Sequence, residues 1–182
     1  APSSARPSAC QGKPNETLFA ILMGNVREPM QVRGDLLGLV SCNEVATRRL
    51  ASMLEEFGLK ELDSLGEYIV STSRASMRAA IRKLPRGTWH AAMKLDGYEA
   101  PVELKAALTV GDGAIHVDYA GSSPASRFGI NSPKCYTDAY TSFGVKCIVA
   151  PGIPNNAGSL EMVTVSAPED SIVHPLRPRA RW

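Results

Sequence analysis

Apolar positions change period once along this chain. Up to about residue 84 they recur at three- and four-residue steps, the spacing that lines up one face of an α-helix. Asn15 is placed to cap a short helix whose face holds Leu18, Ile21 and Leu22. Arg27-Glu28-Pro29 breaks it, and Pro29 suits the first turn of the next helix. There Leu36, Leu39, Val40, Asn43, Ala46, Leu50, Met53, Leu54 and Phe57 form the longest stripe in the sequence. Gly58 predicts a left-handed stop, with Leu59 placed for the hydrophobic contact that follows it. A third helix is expected from about Leu62 to Leu84. Leu62, Leu65, Ile69, Thr72 and Ser76 make one stripe, and Met77, Ala80, Ile81 and Leu84 continue it. The short Gly58-Leu59-Lys60 link predicts that helices two and three form an antiparallel hairpin.

Beyond Pro85 the period becomes two. Val102, Leu104, Ala106, Leu108 and Val110 alternate, Gly111-Asp112-Gly113 turns the chain, and Ile115, Val117 and Tyr119 alternate on the return. Thr88 to Leu95 is expected to join the same sheet. Residues 121–133 read as an irregular loop, and Tyr136, Ala139, Tyr140, Phe143, Cys147 and Ile148 predict a fourth amphipathic helix. A second turn-rich loop, Pro151 to Gly158, precedes a last strand over Leu160 to Ala167. The fold class is therefore α+β: a helical hairpin, an antiparallel hairpin or sheet, and a further helix. The expected layout is a flexible tail over 1–14, a helical region over 15–87, an α/β region with two polar loops over 88–174, and a basic tail over 175–182.

Charge changes the picture by its placement. The net charge of +2 hides a body, residues 15–174, with 15 cations against 18 anions. The positive excess sits in the two ends, with Arg177, Arg179 and Arg181 in the last eight residues. A nucleic-acid binder would need a basic face on the body, so nucleic acid is not an expected partner. No apolar run approaches the roughly 20 residues that span a bilayer, so no membrane span is expected. The cysteines at 10, 42, 135 and 147 have no metal-site spacing, so no metal site is expected in this chain. They predict reduced thiols and a cytoplasmic protein.

The two polar loops hold the candidate chemistry. A strand ending in Asp118 and opening into Gly121-Ser122-Ser123 can gather a carboxylate, hydroxyls and backbone N–H groups at one sheet end. Asn131 follows in the same loop, and Asn155 and Asn156 lie in the second. Each of these residue types also stabilises turns through its own backbone, so ligand positioning and loop architecture both stand for Asp118, Ser122, Ser123, Asn131, Asn155 and Asn156. No phosphate-binding loop, GxGxxG or nucleophile elbow is present. Arg74, Arg78, Arg82 and Lys83 place cations near the end of helix three, where the helix dipole favours them.

Six segments in order carry a resemblance. They are Asn25-Val26-Arg27-Glu28-Pro29 with Gly34-Asp35-Leu36, Met77-Arg78-Ala79-Ala80-Ile81 with Leu84-Pro85-Arg86-Gly87, Ile115 to Pro124, Ile130-Asn131-Ser132-Pro133, Ile153 to Gly158, and Ala167-Pro168-Glu169-Asp170-Ser171. In this order they resemble the hydantoinase B/oxoprolinase family. That family includes N-methylhydantoinase B subunits, the C-terminal part of 5-oxoprolinases, and acetone and acetophenone carboxylase subunits. The resemblance implies a parent enzyme that opens a cyclic amide, such as a hydantoin or 5-oxoproline, using ATP. It also implies a hydantoinase A-like ATP-binding partner and a divalent metal in the complete enzyme, with no cofactor held by this chain. A carboxylase-branch subunit is the alternative, and a non-catalytic interaction or scaffold piece is another. Family subunits are several times longer and carry an upstream Gly-Gly-x-His-x-x-Asp segment that this sequence lacks. A fragment without a complete active site is expected, with exposed surfaces that favour self-association. The resemblance assigns no catalytic residue in this chain.

Overall fold

The structure is a computed structural model that describes residues 9–10 and 13–176. The three tail arginines, and most of the segment expected as a flexible tail, lie outside those residues. The chain divides into two compact units between Leu62 and Asp63.

In the first unit, β1 (Ala9–Cys10) and β2 (Lys13–Pro14) form a two-residue antiparallel ladder. Helix α1 (Glu16–Met23) starts as its sequence dictates: the Leu18 N–H donates to Asn15 Oδ1 at 3.1 Å. Arg33 lies over the ring of Phe19, 4.8 Å from its centroid, and Phe19 is buried. Helix α2 (Pro29–Glu56) opens on Pro29. It ends at Gly58, which takes φ +62° so that the Leu59 N–H can donate back to the Leu54 carbonyl at 2.9 Å. The long apolar stripe is present in α2, yet α2 buries none of its residues.

The second unit contains α3 (Asp63–Arg82), β3 (Gly87–Leu95), β4 (Val102–Val110), β5 (Ile115–Asp118), α4 (Lys134–Val149), α5 (Ala157–Leu160) and β6 (Val163–Ser166). The sheet order is β3-β4-β5-β6. The first two pairings are antiparallel, as the alternating pattern predicts. Strand β6 pairs parallel to β5, so the sheet is mixed and α4 with α5 forms the crossover between them. The fold is α+β, as expected.

Only the second half of α3 reaches the core. Ser73, Met77 and Ile81 are buried, whereas Leu65 and Ile69 are exposed. Met77 and Ile81 pack with Val110, Ile115, Val117, Ala150 and Val163. Each of the valine, isoleucine and methionine side chains contributes about 2 kcal/mol by leaving water. A smaller cluster of Val102, Ile172 and Val173 closes the other end of the sheet.

The β4–β5 turn is tied to α3. Asp112 accepts from Arg86 at 2.8 Å and pairs with Arg82 at 3.4 Å. Gly113 has φ +81°, and a Cβ there would sit 2.5 Å from Arg78 Cγ. Gly113→Ala is expected to cost about 1–2 kcal/mol through left-handed backbone strain, since the arginine side chain can swing away. A denaturant midpoint equal to wild type would show that the turn tolerates a Cβ.

Candidate functional site

Strand β5 stops pairing with β4 at Asp118, opposite Ala107. Two serines then continue the ladder. Ser122 Oγ accepts from the Lys105 N–H at 3.0 Å and donates to the Lys105 carbonyl at 3.1 Å. Ser123 donates its N–H to the Glu103 carbonyl at 2.9 Å, and its Oγ accepts from the Glu103 N–H at 2.9 Å. The serines thus satisfy β4 backbone groups that the end of β5 leaves unpaired. Gly121, at φ +82°, provides the turn that brings them there.

Asn131 is buried with no exposed surface. Its Oδ1 accepts from the Ser126 N–H at 2.8 Å. Its Nδ2 donates to the Ser126 and Phe128 carbonyls at 2.7 and 3.1 Å. In the second loop, Asn156 caps α5 in a reciprocal box with Ser159, and its Nδ2 donates to Ser73 Oγ of α3 at 2.8 Å. Asn155 is exposed.

The two loops do not meet. The first leaves the C-terminal end of β5, and the second feeds the N-terminal end of β6. Because β5 and β6 run parallel with Ile115 opposite Val163, these are opposite ends of the sheet. Asp118, Ser122 and Ser123 are brought together, while Asn155 and Asn156 lie away from them.

Asp118 instead joins residues that the sequence did not nominate. Parallel pairing sets His116 opposite Thr164 and Asp118 opposite Ser166, all on one sheet face. Ser166 Oγ donates to Asp118 Oδ1 at 2.7 Å. With its proton so committed, Ser166 Oγ accepts from His116 Nε2–H at 3.0 Å. On the other side of the ring, His116 Nδ1 lies within hydrogen-bond distance of Thr164 Oγ1, 2.9 Å away. This order points the serine proton at the carboxylate, so the imidazole does not activate Ser166 as a nucleophile. The network orients His116 on an exposed face. The signal for it was present as two strands with polar residues at i and i+2. The missing knowledge was that these strands are in-register neighbours.

Across β4 from this network, a hollow of about 300 Å³ is lined by His90, Ala91, Ala92, Lys105, Ala106, Ala107 and Ala120. The α3 cations are engaged internally: Arg74 with Glu161, and Arg82 with Asp112. The hydrogen bond from Arg74 holds the Glu161 carboxyl below the usual carboxylate range. A carboxyl held low in the folded state adds stability above its unfolded pKa, and that stability is lost as pH falls through the folded value. Glu161→Gln is therefore expected to flatten the acid limb of stability against pH. Identical limbs in denaturant titrations of the two proteins would refute the coupling.

Among the described residues, no three His, Cys, Asp or Glu side chains lie together in a ligating group. Among the same residues, no helix is long and apolar enough to cross a membrane.

Comparison with known proteins adds the family. The sequence profile described as hydantoinase B/oxoprolinase matches residues 8–182. A protein of Pseudomonas sp. strain NS671, provisionally described as the B component of a D-/L-hydantoinase, is 30% identical over 182 residues. The match covers 92% of this chain and 31% of that protein. The crystal structure of ATP-dependent caprolactamase from Pseudomonas jessenii superposes with a TM-score of 0.74 at 21% identity, covering 94% of this chain and 30% of the other. Nucleotide-free acetone carboxylase superposes with a TM-score of 0.79 at 14% identity, covering 97% and 25%. At these identities the two structures share the fold with this chain. The chain spans only 25–31% of the length of these three proteins.

Proposed function

Because this chain belongs to the hydantoinase B/oxoprolinase family, we propose that it forms a framework region of a subunit that opens cyclic amides, such as hydantoins or 5-oxoproline. ATP would be hydrolysed on a hydantoinase A-like partner. The observation that carries this reading is the family match over residues 8–182, with its motifs in order along the chain. The framework role rests on the loops. Ser122, Ser123, Asn131 and Asn156 spend their polar atoms on neighbouring backbone or on α3, which supports architecture rather than substrate contact.

The test compares the isolated chain with the full-length subunit and its ATP-binding partner, supplied with ATP and a divalent metal. Hydantoin, 5-oxoproline, and acetone with bicarbonate are offered in parallel. Ring opening is expected in the complex and not in the isolated chain. Turnover by the isolated chain would overturn the framework reading. Carboxylation of acetone without ring opening would move the chain to the carboxylase branch.

Asp118→Ala removes the acceptor used by Ser166 Oγ and by the Ala120 N–H. It is expected to cost about 1–2 kcal/mol of stability. The ring-opening rate of the folded complex should stay within about twofold, since a group acting only through architecture adds nothing to transition-state binding. A tenfold fall in rate at unchanged stability would place Asp118 in the reacting site.

A further inference from the structure

Helix α4 faces the opposite way from its composition. Both of its lysines lie toward the body of the unit. Lys134 pairs with Asp138 and donates to the Val165 carbonyl at 3.1 Å. Lys146 is only 5% exposed and donates to the Pro151 carbonyl at 3.3 Å. The buried face adds Thr137, which donates to the Val173 carbonyl at 2.8 Å, and Ser142, which donates to the Asp138 carbonyl at 2.7 Å. These polar groups are satisfied where they are, so the helix is seated in a fitted orientation. The apolar stripe read from the sequence therefore faces out. Tyr136, Tyr140, Phe143 and Ile148 are exposed, Ile148 by 85%, with Ala139, Cys135 and Cys147 beside them.

We propose that this outward face of α4 is an internal interface, covered by an uncharged apolar surface from the part of the same subunit that lies outside these 182 residues. The chemistry of the occupant follows from the stripe. It carries no charge, and the hydroxyls of Tyr136 and Tyr140 meet each other at 3.1 Å, with ring centroids 4.6 Å apart. A partner need supply only apolar area, because aromatic side chains of this kind dominate buried contacts.

Size selects the tethered occupant over a second copy. One side of a four-turn helix falls well short of the roughly 20–30 residues a side that a stable complex of separate chains uses. A segment in the same chain does not lose the translational freedom that separate molecules lose, so a small patch suffices. Such length exists in the relatives, of which this chain spans 25–31%. The inference rests on the chain being a stretch of a longer subunit, and not on which bond that enzyme breaks.

Two cysteines on this face supply the probe. Iodoacetamide labelling, read by peptide mass, is run on the 182-residue chain and on the complete natural gene product that contains it. Cys147 is expected to react about tenfold more slowly in the complete product, since thiol reactivity follows exposure. Phe143→Asp is expected to leave the melting temperature of the 182-residue chain unchanged. In the complete product it should lower that temperature and restore Cys147 labelling. Equal Cys147 rates in the two proteins would overturn the proposal. So would a complete product no longer than this chain, or a complete product whose Cys147 is protected only when light scattering shows it as a dimer.

Discussion

Gly158→Ala is expected to destabilise the second unit by about 3 kcal/mol, a large part of the 5–15 kcal/mol typical of a domain. An ideal Cβ at this position lies 2.1 Å from the Val70 carbonyl oxygen and 3.1 Å from the Arg74 amide nitrogen. Both are backbone atoms of α3, so no side chain can rotate to make room. Helix α5 must shift instead. That shift pulls on the bond between Asn156 Nδ2 and Ser73 Oγ and on the Arg74–Glu161 pair. Within a helix, glycine to alanine otherwise helps by about 1 kcal/mol, so the sign of the result reports the close approach. Gly144→Ala is the matched control, because nothing lies within 4 Å of a Cβ there. Denaturant unfolding should show Gly158→Ala falling and Gly144→Ala holding or rising. A Gly158→Ala protein as stable as wild type would mean that α5 is not seated on α3.

Asn131→Ala comes next in size, with an expected cost of about 3 kcal/mol. The side chain is fully buried and bridges Ser126 to Phe128 through three backbone bonds. Alanine leaves an amide and two carbonyls without this partner in a site that water enters poorly. Asn131→Asp separates the bonds. It keeps the acceptor for the Ser126 N–H but aims a carboxylate oxygen at the Ser126 and Phe128 carbonyls. A protonated carboxyl restores one donor. The deficit of Asn131→Asp relative to wild type should therefore shrink as pH falls toward the ordinary carboxyl range. Thermal melts of both proteins across that range check the direction. A deficit independent of pH would show that the donor side of Asn131 carries no weight.

The asparagines of the two loops show how much of the site was legible. Asn131 and Asn156 stand out in sequence because asparagine suits turns. Sequence leaves both ligand positioning and architecture open for them, and the hydrogen-bond partners support the proposed architectural role. Those partners are Ser126 and Phe128 nearby in sequence, and Ser73 eighty-three positions away. His116 was readable only as a histidine out of phase with Ile115 and Val117. Its role in orienting a face depends on Thr164 and Ser166, which reach it through strand pairing that local pattern does not encode.

Several element ends were set by the order of amino acids alone, although helix α5 (Ala157–Leu160) falls where the pattern predicted a loop and the start of a strand. Asn15, Pro29, Gly58 and the period-two run from Val102 to Val110 act within a few residues of themselves, so their effect is local and readable. The family was readable too, because its motifs are strings along the chain. Which faces lie inside was settled by packing. The α2 and α4 stripes satisfy the same periodicity as a core-facing helix, yet α2 buries nothing and α4 turns its lysines inward. Hydrophobic spacing specifies that a face is apolar. What covers it depends on the neighbours that the fold places there, which spacing along one helix does not encode.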